Sequence, residues 1–367
     1  PQFYFRLFTG GSRRIHVLFT ASGRIIRNAS IRGQCSNNRF YGSNEIEKIF
    51  SQLEAFHRNA IKQFIDFAWQ HHPISLEPEH LAWLQNAILF QRSRTELEIK
   101  KIAPAIGYLG LTFFKERLKH KANSQYYARF IKAIEEGKVS VTEPPQATAF
   151  RSIATALQAP LLISDLDFHI LRNHSDYPFV FSDAPVIFCN TYYQNVKHRG
   201  VLGLQTPGLQ IFYPLNSVRL LMLSDAQVYR GNRLESTVID IVERSDVSQL
   251  NALQLHHSVN AVYFANADDE EYIYSLWSAH KNHIIPPRAD FGIREGWLVD
   301  GKPPNGTLYH MFEPQLNITL DLSFVECTPA DPRDYTGRKR SPELVEEHKK
   351  CIREIERKRS KIKNVHV

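Results

Sequence analysis

The sequence predicts an α+β fold: a small N-terminal β-unit, a block of about five helices, then a mixed, mainly antiparallel sheet with flanking helices and a charged C-terminal helix. Three observations carry this. Short β-rich runs open the chain, a helical period takes over from Asn44 to about residue 158, and β-rich runs return afterwards. That order lacks the regular strand–helix alternation of a doubly wound parallel sheet. Residues 316–324 (LNITLDLSF) alternate without a fault, the pattern of a half-buried antiparallel strand. Finally, in Phe179-Val180-Phe181-Ser182-Asp183-Ala184-Pro185-Val186-Ile187-Phe188, a polar corner interrupts an apolar run. Ser182 and Asp183 can accept bonds from the amides just ahead, and Pro185 stiffens the resulting turn.

The elements follow in order. Residues 3–8, 14–20 and 24–30 read as strands, with Ala21-Ser22-Gly23 as a hairpin turn. Asn44 and Glu47 form a capping box for a helix that puts Ile46, Phe50, Leu53, Ile61 and Phe64 on one face and ends at His71-His72-Pro73. A second helix is predicted from Pro78 to Lys101, with Pro in its first turn and lysines at its C-terminal end. Helices at about 105–120, 124–136 and 146–158 complete the block. Strands are expected at 168–171, 179–181, 186–189, 209–212, 218–223, 238–242 and 261–265, with helices from Ser245 or Asp246 to about 258 and over 268–283. Ser341-Pro342-Glu343 starts the last helix, with a thin stripe of Leu344, His348, Ile352, Ile355 and Ile362. The resulting division is 1–43 for the β-unit, 44–158 for the helical block, 159–330 for the antiparallel region packed with 1–43, and 331–367 for the tail.

Composition sets limits. With 43% hydrophobic and 23% charged residues over 367, the chain is of ordinary globular make-up. No apolar run approaches the roughly 18–20 residues of a membrane helix, and no signal peptide is in view at the start. Cys35, Cys189, Cys327 and Cys351 lie far apart, which argues against a zinc ribbon or a disulfide framework. A cytoplasmic location is expected. Of the +7 net charge, +5 falls in residues 331–367, where twelve Lys/Arg face seven Asp/Glu. A nucleic-acid-binding body would carry its basic character in the fold itself. Here the tail holds most of it.

Three segments carry a resemblance: Pro1-Gln2-Phe3-Tyr4-Phe5-Arg6-Leu7-Phe8, Gln91-Arg92-Ser93-Arg94-Thr95, and Phe181-Ser182-Asp183-Ala184-Pro185-Val186. With Ile46-Glu47, Leu53-Glu54 and Pro214-Leu215-Asn216 they resemble, in the same order over roughly residues 1–260, a bacterial family of unknown function (domain of unknown function 4238). That family opens with a His-His pair that has no counterpart here, and Ala184 stands where it has Asn. The resemblance implies no activity.

The candidate site is a cluster of Glu54, Gln91, Arg94 and Asp183. Glu54 sits at the edge of an apolar helix face, where it either lines a pocket or pairs with Arg58 one turn on. Gln91 and Arg94 continue apolar stripes of their helix, and a buried guanidinium seeks a carboxylate, Asp183 or Glu54. Facing Asp183 across the junction of helices and sheet, Arg94 would either bind a phosphate or polarised substrate, or dock the two parts together. A start of the chain close to Ser182 is expected too. Among sixteen histidines only His71-His72, His256-His257 and His280 with His283 lie close together, in spacings that do not favour a metal, and no cofactor is indicated. Arg357, Lys358, Arg359 and Lys361 are the candidate nucleic-acid contacts; a solvated helix laced with salt bridges reads the same way. The expectation is an enzyme acting on nucleic acid or a nucleotide, nuclease-like or a toxin or defence effector. The alternative is a binding or scaffolding protein whose polar cluster is structural and whose tail contacts a partner.

Overall fold

In a computed structural model, residues 2–35, 44–67, 77–119, 124–197, 199–284, 288–293 and 308–363 are described. The chain is α+β. Helix α1 (Gln2–Phe8) is followed by strands β1 (Arg14–Phe19) and β2 (Arg24–Ser30), the short helix α2 (Ile31–Cys35), and helices α3 (Asn44–Phe67), α4 (Pro78–Ser93), α5 (Glu96–Lys119), α6 (Ser124–Glu135) and α7 (Pro145–Ala156). Then come β3 (Asp167–Asn173), β4 (Phe181–Ser182), β5 (Ile187–Cys189), β6 (Gln210–Asn216), β7 (Arg219–Ser224) and β8 (Val238–Ile241). Helix α8 (Arg244–His256), β9 (Ala261–Phe264), α9 (Glu270–His280), the hairpin β10 (Asp290–Ile293) and β11 (Tyr309–Phe312), and α10 (Pro342–Lys363) complete it.

Two larger sheets organise these elements. One has the order β2-β1-β9-β4 and is antiparallel throughout. The other has the order β5-β6-β7-β3-β8, with only β3 and β8 parallel. The polar corner acquires a definite role from this topology. Because β4 ends at Ser182 and β5 begins at Ile187, the Asp183-Ala184-Pro185-Val186 stretch carries the chain from one sheet to the other.

The largest apolar cluster lies where the two sheets meet α1, α3 and α4, with Tyr4, Phe5, Phe8, Ile61, Phe64, Ile88, Phe181, Tyr213 and Tyr263 buried together. Residues 3–8 were expected as a strand and form a helix instead. Tyr4 and Phe8, one helical turn apart, both rest on Phe181, and the Tyr4 hydroxyl donates to the Pro214 carbonyl at 2.5 Å. A short, nearly continuous apolar run fits either period, and tertiary packing chose the helical one. The expectation that the start lies near Ser182 is met as far as Tyr4 and Phe5, whose rings contact Phe181; Pro1 lies outside the described residues.

The predicted helix from Pro78 to Lys101 breaks at Arg94. Ser93 and Thr95 turn their hydroxyls back onto the Phe90 and Arg92 carbonyls at 3.0 and 2.9 Å, while Thr95 Oγ1 accepts from the Glu98 amide at 3.3 Å and so caps α5. The Thr95-x-x-Glu98 spacing is a capping-box signature inside what had read as one continuous helix. The predicted end of the first helix at His71-His72-Pro73 lies outside the described residues.

Residues 316–324 form no strand. Their alternation is real in burial, since Leu320, Leu322 and Phe324 are 3–6% exposed. Yet the backbone bonds go to side chains of α8: Gln249 brackets Asp321, and Asp246 accepts from the Ser323 amide and hydroxyl. The segment is an extended strap on a helix, and period-two burial alone does not tell a strap from a strand.

Helix α8 is buried on almost every side. Its polar residues must therefore find partners, and they do. Asn251 serves the Val180 amide and the Pro178 carbonyl, and Gln254 holds the corner.

Candidate functional site

The corner is clasped from three directions. Gln254 on α8 accepts from the Ser182 amide and hydroxyl, both at 2.9 Å, and donates to the Pro185 carbonyl at 3.0 Å. His257, just past α8, donates from Nδ1 to the Ala184 carbonyl at 2.8 Å. Arg92, at the end of α4, donates to the Val186 carbonyl at 3.1 Å and stacks its guanidinium 3.9 Å above the Phe188 ring.

Of the two residues expected to accept from the amides just ahead, only Ser182 does so, from Ala184 at 3.2 Å; Asp183 is instead spent on the turn before β9. Its carboxylate accepts from the Val259 and Asn260 amides at 2.9 and 2.7 Å, and its amide donates to the Ala261 carbonyl at 3.1 Å. Burial nevertheless pushes its carboxyl above the usual range. Arg94 pairs with Glu54, not with Asp183, and lies 5.0 Å from the Phe90 ring. The expected facing pair is thus replaced by an Arg94–Glu54 pair and a separate Asp183 carboxylate held by backbone amides. The geometric cause is the break after Ser93: Arg94 follows the last residue of α4 and precedes Thr95, the cap of α5, which takes it off the stripe that would have aimed it at the sheet. Glu54 reaches across to Arg94 in preference to its own helix neighbour Arg58, and Gln91 is buried on α4 but takes no part in these bonds.

The charged centre of the junction consists of residues that sequence reasoning passed over. Glu313, directly after β11, pairs with Arg92 and with Lys101 Nζ at 2.8 Å; Lys101 also meets Glu98 at 2.5 Å. Arg92 and Lys101 are 8% and 5% exposed. Burial alone would push the Glu313 carboxyl up, but Arg92 and Lys101 outweigh it and hold it well below the usual carboxylate range. His257 Nε2, a buried atom without a hydrogen-bond partner among the described residues, lies 3.9 Å from Glu313 Oε1. Two acids and two bases balance, so the cluster has no net charge left for a ligand. The one sequence clue to it was a second arginine, Arg92, beside Gln91 on a largely apolar helix; Glu313 follows Lys101 by more than two hundred positions and gave no local signal.

Two of the other sequence candidates lie elsewhere. His256 Nε2 and His280 Nδ1 hydrogen-bond each other at 3.0 Å, and among the described residues no group of three or more His, Cys, Asp or Glu is arranged to hold a metal. Arg357 and Lys358 are exposed near the end of α10, and the side chains of Arg359 and Lys361 lie outside the described residues. No helix among the described residues is long and apolar enough to cross a membrane.

The sequence profile of a family described as a protein of unknown function (DUF4238) matches residues 1–268. The chain belongs to that family. No curated protein and no solved structure matches it. The matched region holds Arg92, Lys101, Asp183, Gln254 and His257, while Glu313 comes from the segment that follows. Every hydrogen bond of the corner itself therefore lies within the family region, and one of the two acids that balance its two cations, Glu313, lies outside it.

Proposed function

We propose that this chain is a binding protein whose corner cluster is structural and whose helix α10 presents a basic end to a polyanionic partner, nucleic acid. One observation carries the reading: α10 is fixed at its root, and from Arg353 to Lys358 its side chains are exposed. Arg340, 7% exposed, forms a two-pronged ion pair with Asp165 at 2.7 Å for each prong, and donates to the carbonyls of Thr206, Leu162 and Leu204. The Gln205 side chain accepts from the Ser341 amide at 2.8 Å, and the Ser341 hydroxyl accepts from the Leu344 amide at 3.4 Å to start the helix. From there 22 residues run to Lys363, about 33 Å at 1.5 Å per residue. After Glu356 every charged residue of α10 is basic. A rigidly mounted arm with its charge at the far end suits contact with an extended polyanion.

The enzymatic reading required Glu54, Gln91, Arg94 and Asp183 to share one site, and their separate partners remove its main support. The test uses the full chain, because a cut before Arg340 would take away a buried anchor. Arg357, Lys358, Arg359 and Lys361 are changed together to Gln, and binding to single- and double-stranded nucleic acid is measured at about 50 and 200 mM salt. Four phosphate contacts lose roughly two orders of magnitude in affinity over that range. The natural chain should show that steep dependence and the variant should lose both affinity and slope. Equal binding by the two would move the contact off the helix; no binding by either would end the nucleic-acid reading.

A further inference from the structure

A cavity of about 450 Å³ opens where the start of β3, the end of β7 and the loop after β7 come together. It lies apart from the corner cluster and from α10, and none of its lining residues takes part in either. Its floor holds His169 and Ser224, 3% and 1% exposed, and its rim carries Asp167, Glu235 and Glu326 with Arg230.

The floor is built with acceptors in view. His169 Nδ1 donates to the Ser236 carbonyl at 3.0 Å, which leaves Nε2 as a bare lone pair with no protein partner among the described residues. Burial lowers the affinity of this ring for a second proton, so it stays neutral at neutral pH. The Ser224 hydroxyl likewise has no protein partner among the described residues. Both side chains are more than nine-tenths buried, yet neither partnerless atom is closed off, so both open on the cavity and must be served by whatever occupies it. Above them the balance is three carboxylates to one guanidinium, and none of the three is in an ion pair among the described residues. Arg230 and Glu326 are fixed relative to each other by a backbone bridge, with amide-to-carbonyl distances of 3.0 and 2.7 Å. Tyr229 is locked behind the floor by its bond to the Gly208 carbonyl at 2.6 Å.

We infer that this cavity binds a small organic cation rich in N–H donors, an amine or guanidine, whose charged head meets Asp167, Glu235 and Glu326 and whose N–H group donates to His169 Nε2. Acceptors in excess on floor and rim complement a donor-only ligand. An anion would meet three like charges. A bare metal ion would find no suitable group of three ligands among the described residues, and the volume suits an organic molecule.

Agmatine, which carries a primary amine and a guanidine, is the probe. Its binding to the full chain is followed by calorimetry at low salt, with glutarate as the anionic counterpart. Saturable agmatine binding is expected, with none for glutarate. The paired substitution Asp167→Asn and Glu326→Gln, both on the exposed rim, should weaken agmatine about tenfold, since partly screened charge contacts are modest singly. The melting temperature without ligand should not change. In the unaltered chain, agmatine should also shift the nitrogen resonance of His169 Nε2, a readout that holds even if the paired variant folds poorly. No saturable agmatine binding, equal binding by a well-folded paired variant, an unmoved His169 signal, or preferential binding of glutarate would each overturn the inference.

Discussion

Replacing Glu313 by Gln removes one charge from a nearly enclosed four-member network while keeping its shape. Breaking a buried ion pair by deleting one partner costs about 3–5 kcal/mol, because the remaining charge is left desolvated. Two features reduce that here. Lys101 keeps Glu98 at 2.5 Å, and Arg92 keeps the Val186 carbonyl at 3.1 Å and the Phe188 ring at 3.9 Å. Glu313 itself is 20% exposed at the side chain, so water screens part of its interaction. The expected loss is about 2–3 kcal/mol, read as a lower urea midpoint at unchanged slope. Its pH dependence has a definite sign. Arg92 and Lys101 depress the folded-state carboxyl below its unfolded value near 4.3, so the stabilisation is complete above that value and fades as pH falls through the folded pKa. The difference between natural chain and variant should therefore be flat from about pH 8 to 5 and shrink below. A second variant, Lys101→Met, should be non-additive with Glu313→Gln by about 1 kcal/mol or more, since the two side chains share a bond. A loss under about 0.5 kcal/mol, or a difference that ignores pH down to 3, would refute the claim that this network holds helices and sheet together.

Further outcomes are expected elsewhere. Arg340→Ala should cost about 3 kcal/mol or more by leaving Asp165 and three carbonyls short of a donor, and hydrogen exchange should show the first turns of α10 losing protection. His256, whose pKa burial and His280 lower to about 4, should make stability fall as pH drops from about 7 to 4. In that window the unfolded chain takes up a proton that the folded one resists, worth at most about 3 kcal/mol, and His256→Gln should flatten the slope in urea melts. Tyr4→Phe should cost about 1–2 kcal/mol in the same assay, since it strands the Pro214 carbonyl in the core without altering the ring stack on Tyr213.

The sequence disclosed most of this fold wherever one local period decided the outcome. The hairpin of β1 and β2, the helices at Asn44, Ser124 and Pro145, and the buried strands from Asp167 to Ile241 each repeat an apolar pattern over several residues. It misled where partners far along the chain decide. Residues 3–8 became helical because Phe181, Tyr213 and Tyr263 offer a flat aromatic surface to Tyr4, Phe5 and Phe8. Residues 316–324 lost their ladder because Asp246 and Gln249 supplied its hydrogen bonds. At the candidate site, the corner itself was legible, since a carboxylate and a proline inside an apolar run must turn and must be satisfied. Which arginine would serve it was not. That depended on a helix break at Arg94 whose capping signal, Thr95 with Glu98, was hidden in a longer helical pattern.

The position of Glu313 bears on what the family region can do alone. Residues 1–268 bring Arg92 and Lys101 to the corner as two nearly buried cations against the single acid Glu98. The following segment supplies the missing charge at Glu313, binds the Asn190 amide and the Tyr193 carbonyl through Gln315, and covers one face of the five-stranded sheet and α8 with Leu320, Leu322 and Phe324. At about 1.5–3 kcal/mol for each fully buried large side chain, those three contacts alone rival the whole net stability of an ordinary domain, about 5–15 kcal/mol. A chain ended at residue 268 would therefore leave an apolar sheet face open and a positive charge uncompensated. In this protein, the segment beyond the family match does part of the work of folding the family region.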